Sequence, residues 1–385
     1  MPSSTSSSEA PRDPYARQTA SDRPGVAQPV PVRPLPVHPW GRILLGAFVV
    51  LVLLVGAWEA YWRSYGVTPS IRNTFGLWAI QRRRIDAGEG NATVFLGASR
   101  AYFDLQLPVW ERLSGRAPIQ LSYEGTSPMT AIEDLAADPK FTGNLLFGVE
   151  PDQFFSGRGL ALGVARYAHR ESPSQRIGQW LSMHFIEPYF AFYDADYALR
   201  TVLARQPWPQ RPGKHWFMDV RKLSMHDAQR NAWLWDKVSL DPVYREIARA
   251  VWMEEFVPYP DDPTPQEILK TEKEQIGRAV RALAQLRVRG VRVLFVRFPS
   301  DGPFLESEER IYPRKRSWDS LLAATGAPGI NFADYPEMQG YYLPEWSHMT
   351  RPEAERYTAV LYRVIERDYW GPDAPDWPRK VRAVQ

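Results

Sequence analysis

The chain contains no cysteine among its 385 residues and only six histidines. The absence of cysteine excludes disulfide bonds and cysteine-ligated zinc, while an oxidising compartment remains compatible with this composition. The net charge is only +3, from 47 basic and 44 acidic residues, and no dense Lys/Arg stripe is present. This balance gives no case for nucleic-acid binding. Because the histidines also lack the spacing of metal ligands, we expect neither a metal nor another cofactor.

The first 39 residues lack the apolar content that a folded domain needs. They are rich in Ser, Pro and Ala and cannot offset their ordering entropy, so we predict a disordered cytoplasmic tail over 1–39. An uncharged apolar run from Ile43 to Trp58 follows, with aromatic residues at both ends. A membrane span needs about 20 mostly apolar residues, so residues 40–63 are predicted to form a transmembrane anchor. A cleaved signal peptide is the alternative, but its small-residue cleavage site is missing.

The charges that flank this anchor bear on its orientation. Arg63 and Arg72 follow it, whereas five arginines precede it: Arg12, Arg17, Arg23, Arg33 and Arg42. The excess on the N-terminal side favours an N-terminus in the cytoplasm, and long domains translocate largely regardless of charge. We therefore predict a single-pass protein of the inner (cytoplasmic) membrane, with its main domain periplasmic or otherwise extracytoplasmic.

After a predicted linker over 64–91, apolar strand-like runs alternate with helical segments. The runs are ATVFLG, APIQLSYEG, NLLFGVEP, VRVLFVRFP and GINFADY. The helix predicted between the first two runs ends at Gly115, and the longest predicted helix begins at Thr264. This alternation predicts an α/β domain over 92–370, with a parallel sheet and right-handed crossovers.

Two further segments interrupt or follow this domain. Residues 152–262 are polar and aromatic and lose the alternation, so we predict a largely helical insertion over the sheet. Residues 371–385 are predicted to form a C-terminal tail. No internal repeat is visible in the sequence.

Small residues stand where the first two predicted strands end, and open α/β sheets carry their working residues at the carboxyl ends of strands. Ser99 follows the first strand, where a nearby histidine could deprotonate it for attack on an ester carbonyl. Gly97 and Ala98 would leave room for that carbonyl. Gly125 follows the second strand, and its backbone N–H could face a developing oxyanion. A Gly-x-Ser-Arg turn alone is a weak signal, because many strand-to-helix turns look like it.

His348 precedes the last predicted helix, and Glu345 lies three residues before it. From this position the imidazole could fold over the sheet edge, and the carboxylate could hold its second ring nitrogen. Arg100 is a candidate for orienting an anionic substrate, and Glu150 is a candidate for lining the site. Each has a structural alternative: Arg100 can cap the sheet edge, Glu150 can begin a solvated loop, and His348 can pack against its neighbours.

Taken together, the strings FLGASR, LSYEGTSP, FVRFPSDG and EWSHMT resemble the SGNH hydrolase family over most of residues 92–370 outside the insertion. The chain is most similar to the membrane-anchored, extracytoplasmic branch, which includes the D-alanyl transfer protein of teichoic acids and polysaccharide O-acetyl transfer proteins. The resemblance implies a flavodoxin-like sheet. It also implies Ser99 as nucleophile, His348 as base and Glu345 as acid, with oxyanion donors from the backbone of Ser99 and the Gly125 region.

Two features depart from the family pattern. The family usually has aspartate three residues before the histidine, where this chain has Glu345, so Asp334 is a rival acid. The family's third block is Gly-x-Asn, whereas the string here is Gly148-Val149-Glu150. An ionised carboxylate cannot donate to an oxyanion, and loss of one donor costs about 100- to 1000-fold in rate.

The resemblance implies an anchored acyl transferase or esterase that acts on a cell-surface or exported polysaccharide through an acyl-serine. The acyl group it implies is acetyl or similarly small, and the implied partner is a multi-span membrane acyltransferase or the polysaccharide synthesis machinery. Two alternatives stay open. One is a catalytically degenerate assembly or glycan-binding component on the same scaffold, and the other is a plain esterase for small molecules.

Overall fold

The computed structural model describes residues 38–206, 221–257 and 262–371, and the chain divides into two units after Ala57. The prediction of a disordered tail over 1–39 falls almost entirely outside the described residues. The same is true of the predicted C-terminal tail beyond Gly371.

The first unit consists, where it is described, of the N-terminal part of helix α1 (Trp40–Ser64). Every residue from His38 to Ala57 is exposed, although most of them are apolar. Among the described residues, α1 is the one helix long and apolar enough to cross a membrane. This agrees with the predicted anchor, which needs about 20 apolar residues to span the hydrocarbon layer.

The second unit is built on a parallel sheet. Seven strands are described: β1 (Thr93–Leu96), β2 (Ile119–Gln120), β3 (Asn144–Gly148), β4 (Ser224–His226), β5 (Ala232–Leu234), β6 (Arg292–Arg297) and β7 (Gly329–Asn331). Five of them form one sheet in the order β2-β1-β3-β6-β7, and all four pairings are parallel. The predicted α/β class and parallel sheet are therefore confirmed. The antiparallel pair β4–β5 lies in the insertion and was not predicted.

Helices connect and cover these strands. In chain order after α1 they are α2 (Phe75–Arg84), α3 (Ser99–Phe103), α4 (Leu107–Ser114), α5 (Met129–Ala137), α6 (Pro151–Ser156), α7 (Val164–Arg170), α8 (Pro173–Phe185), α9 (Leu199–Ala204), α10 (Asp236–Leu240), α11 (Pro242–Glu255), α12 (Pro265–Val288), α13 (Gly302–Ile311), α14 (Trp318–Thr325) and α15 (Arg351–Ile365). Their ends follow local signals. Gly115 ends α4 in the left-handed region at φ 73°, and the Thr264 side chain caps the first turn of α12.

Successive residues of the central strands point to opposite faces of the sheet. On β1, Val94 and Leu96 belong to the core cluster that includes side chains of α5, α12 and α14. Phe95 points the other way, into the cluster formed with α4 and α15. Both faces are thus buried, which is why the strands read as continuous apolar runs rather than as alternating ones.

The prediction of a linker over 64–91 is wrong, because much of this segment is folded. It contains α2, whose Leu77 and Trp78 are fully buried, and the Trp78 indole donates to the carbonyl of Leu121 at 2.9 Å. The Thr74 side chain starts the helix by accepting from the N–H of Leu77. The helix lacks an even apolar stripe, since it ends in Arg82, Arg83 and Arg84, and periodicity therefore gave no signal.

Candidate active site

Ser99 is the first residue of α3, directly beyond the carboxyl end of β1. A Cβ added to Gly97 would lie 2.5 Å from the Cβ of Ala101 and 3.1 Å from the Cα of Gly148. Glycine is therefore required because β1, β3 and the start of α3 approach closely. The expectation that Gly97 leaves room for a substrate carbonyl is wrong, since protein atoms fill that space.

A hydrogen-bonded series joins the Ser99 side chain to two side chains near the C-terminal end of the domain. The hydroxyl of Ser99 lies 2.7 Å from Nε2 of His348, and Nδ1 of His348 lies 2.9 Å from Oε1 of Glu345. The imidazole and the carboxylate are buried, whereas Ser99 is partly exposed to a cavity. In a nucleophilic site, such contacts let a base take the proton of a hydroxyl while an acid orients the base.

A tight turn allows Glu345 to reach the histidine three residues later. Oε1 of Glu345 also accepts from the backbone N–H of His348 at 2.7 Å. Between them, Trp346 adopts φ 70°, a left-handed conformation that is rare for a bulky residue. Its carbonyl accepts from the N–H of Asp301 at 2.9 Å, which helps to hold the turn. The longer glutamate thus fits where the family pattern has aspartate.

The second oxygen of Glu345 has a partner that the sequence did not reveal. Oε2 accepts from the indole N–H of Trp252, on α11 of the insertion, at 2.6 Å. The Trp252 ring also lies edge-on to Phe304, with ring centroids 5.6 Å apart. The insertion therefore supplies a side chain that holds the acid in place. Trp252 lies 93 positions from Glu345 in the sequence, and no local motif marks it.

The environment of His348 favours its protonated form. Burial alone would lower the pKa of this imidazole, but the charge and hydrogen bond of Glu345 offset burial and raise the pKa above 6.5. Asp104 and Glu150 act in the same direction. Asp104 is itself fully buried, accepts from the N–H of Met349 at 3.0 Å, and has a pKa raised by burial to about 7.

Glu150, predicted to line the site, lies beside the serine. Its Oε2 is 3.2 Å from the hydroxyl of Ser99, and its Oε1 accepts from the backbone N–H of Arg100 at 2.7 Å. The amide that follows the serine is therefore already occupied by a protein group. Burial raises the pKa of Glu150, and Asp152 adds to this, while Arg100 and His348 oppose it.

Arg100 does not reach the cavity, so its predicted contact with an anionic substrate is wrong. The side chain is fully buried, and its Nη2 pairs with Oε1 of Glu308 at 2.8 Å. Its Nε donates to the hydroxyl of Ser347 at 3.2 Å, and its guanidinium lies over the ring of Phe304. The structural alternative, a cation that holds the sheet edge together, fits these contacts.

Asp334, the rival acid, does not contact the histidine. It lies in a 3-10 turn after β7 and pairs with Arg314 through two hydrogen bonds of 2.6 and 2.7 Å. Both side chains of this pair are more than a third exposed. Glu345 is therefore the acid that the structure joins to His348.

These groups open into a cavity of about 440 Å³. Its wall includes Ser99, Phe103, Glu124, Gly125, Glu150, Asp152, Gln153, Leu160, Asp196, Arg221, Leu223, Ser224, Trp252, Phe304, Ser347 and His348. Gly125 adopts φ 60°, which glycine tolerates without strain. Ser99, as the first residue of α3, has a backbone N–H with no intrahelical acceptor. Both predicted oxyanion positions therefore border the same space.

The arrangement contains the groups that nucleophilic catalysis by a serine requires. A hydroxyl faces a basic nitrogen, the acid fixes the ring, and the two backbone positions expected to stabilise an oxyanion border the same cavity. Within the described part of the chain, no group of three or more His, Asp or Glu side chains could hold a metal ion.

No protein-family model matches this chain, and no curated protein sequence matches it. The chemistry assigned to the cavity therefore rests on its own distances and burial. The most specific of these is the 2.7 Å contact between Ser99 and His348, which joins residues 249 positions apart.

Proposed function

We propose that this chain is an SGNH-type serine acyltransferase or esterase, anchored in the inner membrane, that modifies a polysaccharide outside the cytoplasm. The observation that carries the proposal is the series Ser99–His348–Glu345 at the edge of a cavity. The strand order, equivalent to the flavodoxin-like order 2-1-3-4-5, and the apolar helix α1 support it. The resemblance to O-acetyl transfer proteins favours acetyl as the acyl group.

In the proposed reaction, Oγ of Ser99 attacks the acyl carbonyl while its proton passes to Nε2 of His348. Glu345 keeps the proton on Nδ1 and stabilises the imidazolium. The backbone N–H groups of Ser99 and Gly125 donate to the oxyanion. Collapse of the tetrahedral intermediate breaks the donor's ester bond, and the leaving alkoxide takes the proton from His348. An acceptor hydroxyl then attacks the acyl-serine while its proton passes to Nε2 of His348. Collapse of this second intermediate breaks the bond to Ser99, and Oγ takes the proton back from His348.

The insertion gives a reason for transfer to outcompete hydrolysis. Eight of the described cavity residues come from it: Asp152, Gln153, Leu160, Asp196, Arg221, Leu223, Ser224 and Trp252. The catalytic groups come from the sheet edge, so the reacting atoms would lie between two walls of the same unit. Walls that keep water from the reacting atoms would protect an acyl-serine until an acceptor enters.

The charge of the cavity favours an uncharged or amino-bearing acceptor. Of the described residues that line it, four carry carboxyl groups, Glu124, Glu150, Asp152 and Asp196, and one, Arg221, carries a guanidinium. Burial raises the pKa of all four. Carboxyl groups pair well with sugar hydroxyls, whereas the carboxylates of a uronic-acid polymer would enter a site whose burial already disfavours negative charge.

A transfer assay tests the proposed function. The full-length chain in detergent micelles is incubated with a chromogenic acetyl ester and an uncharged oligosaccharide, and a uronate oligosaccharide of equal length serves as the matched control. We expect acetylation of the uncharged acceptor by mass spectrometry, at least about tenfold above the uronate. Hydrolysis with no transfer would favour a plain esterase, and no turnover would favour the non-catalytic glycan-binding alternative.

The raised pKa of His348 predicts the acidic limb of the pH profile. The imidazole acts as a base only when it is neutral, so activity is lost as pH falls through its pKa. Because that pKa lies above 6.5, we expect the acidic limb of kcat/KM to have its midpoint above pH 6.5. Initial rates with the acetyl ester between pH 5 and 10 give the midpoint, at about half-unit steps. A midpoint at or below 6.5 would contradict the influence assigned to Glu345.

The proposal also implies a partner. An extracytoplasmic transferase needs an activated acyl group delivered across the membrane, and the resemblance points to a multi-span membrane acyltransferase or the polysaccharide synthesis machinery. An uncleaved anchor suits a substrate that is itself at the cell surface. Co-purification from membranes with such a partner is the expected result.

A further inference from the structure

The Ser99 hydroxyl carries one proton but has two close partners, Nε2 of His348 and Oε2 of Glu150. Nδ1 of His348 faces the carboxylate of Glu345, so a neutral imidazole carries its proton there and accepts at Nε2. The Ser99 hydroxyl then donates to Nε2 at 2.7 Å. It has no second proton for Oε2 of Glu150, which lies 3.2 Å away. An ionised Glu150 would therefore set a lone pair of Oε2 against the lone pairs of the serine oxygen, whereas a proton on Oε2 turns this contact into a hydrogen bond.

The two oxygens of Glu150 have different surroundings. Oε1 accepts from the N–H of Arg100 at 2.7 Å and from the N–H of Ala101 at 3.4 Å, so it acts as an acceptor. Among the described residues, Oε2 has one hydrogen-bond partner, the Ser99 hydroxyl. A proton on Glu150 therefore belongs on Oε2, directed at the serine oxygen that attacks the acyl carbon.

We propose that Glu150 is a catalytic residue that acts as a neutral carboxylic acid, with Oε2–H donating to Ser99 Oγ at rest and to the oxyanion during acyl transfer. This inference rests on the proposed function. It gives Glu150 the role that an amide side chain would have in the family's Gly-x-Asn pattern. The proton stays on Glu150 throughout, because the serine proton travels to His348 and from there to the leaving oxygen.

The charged groups around Glu150 are consistent with a neutral acid. The side chain is 3% exposed, and burial is the main cause of its raised pKa. Asp152 and Asp104 disfavour a negative charge on Glu150, whereas Arg100 and His348 favour one. The Arg100 guanidinium is already paired with Glu308, so part of its charge is compensated. Burial can hold a carboxylic acid neutral at physiological pH, where it serves as a hydrogen-bond donor.

The same proton can also move to the histidine. With Glu150 ionised and His348 protonated, the Ser99 hydroxyl would donate to Oε2 and could not be activated. The two groups therefore titrate as a coupled pair across Ser99. The reactive form has the imidazole neutral and the glutamic acid protonated, so activity should fall at high pH as Glu150 loses its proton.

Two substitutions of Glu150 test this assignment in the full-length chain in micelles, with an acetyl ester as substrate. Glutamine reproduces the neutral acid, because its carbonyl accepts from Arg100 and its NH₂ donates toward Ser99. We expect Glu150→Gln to keep kcat/KM within about tenfold and to lose the alkaline limb of the pH profile, whereas Glu150→Ala loses about 100- to 1000-fold. Equal losses in both variants, or an alkaline limb that persists in Glu150→Gln, would overturn the assignment.

An infrared difference spectrum gives a readout that does not depend on turnover. Wild type minus Glu150→Gln, recorded near the pH of maximal stability of the chain, should contain the carbonyl stretch of a protonated carboxylic acid. A carboxylate band in its place would overturn the inference. If the acid band is present but turnover does not depend on Ser99, the proposed function fails while the protonation state of Glu150 stands.

Discussion

Replacement of Ser99 by alanine is expected to lower acyl-ester turnover by about 10⁴-fold or more, to the level of the uncatalysed background. The Ser99 hydroxyl is the one nucleophile within hydrogen-bonding distance of Nε2 of His348 among the described residues. Without it, the histidine and the oxyanion donors have no bond-forming partner. Initial rates with the chromogenic acetyl ester measure the loss in the full-length chain.

A neighbouring hydroxyl provides the matched control. Ser347 also lines the cavity, but its hydroxyl accepts from Nε of Arg100 rather than facing the histidine. We expect Ser347→Ala to keep the rate within about tenfold of wild type, since it removes one hydrogen bond to a charged group. Similar rates in Ser99→Ala and wild type would show that another group is the nucleophile.

The absence of cysteine allows a second test at the same position. In Ser99→Cys the introduced thiol is the one thiol of the chain, so iodoacetamide labels it without interference. His348 should lower the pKa of this thiol and accelerate its alkylation. Labelling that is no slower after His348→Ala would mean that the imidazole does not act on this position.

Glu308→Ala is expected to destabilise the second unit by about 3–5 kcal/mol, because it breaks a buried ion pair from one side. Glu308 is 3% exposed, and its oxygens lie 2.8 Å from Nη2 of Arg100 and 3.6 Å from Nη2 of Arg297. The hydroxyl of Ser300 also donates to it at 2.8 Å. Its removal takes away the one carboxylate that the described residues place within ion-pair distance of the buried Arg100 guanidinium, whereas Arg297 keeps Glu309. The midpoint of urea unfolding measures the change.

The exposed pair of Arg314 and Asp334 serves as the comparison. Because both side chains are open to solvent, Asp334→Ala should cost less than about 1 kcal/mol. It should also leave the rate of ester turnover unchanged, because Asp334 does not contact His348. Equal destabilisation by Glu308→Ala and Asp334→Ala would contradict the buried role of the Arg100 network, and loss of activity in Asp334→Ala would restore Asp334 as a rival acid.

The parallel sheet could be predicted because each central strand is a short apolar run that ends in small or polar residues. Strands that are buried on both faces have such apolar runs. The run of β1 stops before Gly97 and the run of β3 stops at Gly148, so both strand ends could be located in the sequence. Parallel strands place their carboxyl ends at one edge, so the proximity of Ser99 and Glu150 also followed from the pattern. The order of elements thus predicted the position of the candidate site before its geometry was known.

The contacts made by side chains from outside the sheet could not be predicted. The hydrogen bond from Trp252 to Glu345 depends on how α11 packs in the insertion, and no spacing in the sequence encodes it. Arg100 stands next to Ser99 in the sequence and was expected to face a substrate. Its side chain instead points to the buried Glu308, 208 positions later, because a guanidinium needs a carboxylate when it is removed from water.

Gly97 illustrates how one residue type supports two explanations. A small residue before a strand-end serine is compatible with space for a substrate, and also with close packing of the backbone. The short Cβ distances to Ala101 and Gly148 favour packing. Similarly, the segment 64–91 had too many charges for an apolar stripe, yet α2 buries Trp78 within it.

Intact-mass spectrometry after treatment with a serine-directed phosphonate tests the central proposal most directly, because it detects the covalent bond to Ser99 without requiring the natural acceptor. We predict a single adduct on the full-length wild-type chain, no adduct on Ser99→Ala, and strongly slowed labelling of His348→Ala. Wild-type protein that stays unlabelled, or labelling that is unchanged in Ser99→Ala, would contradict an acyl-serine mechanism for this chain.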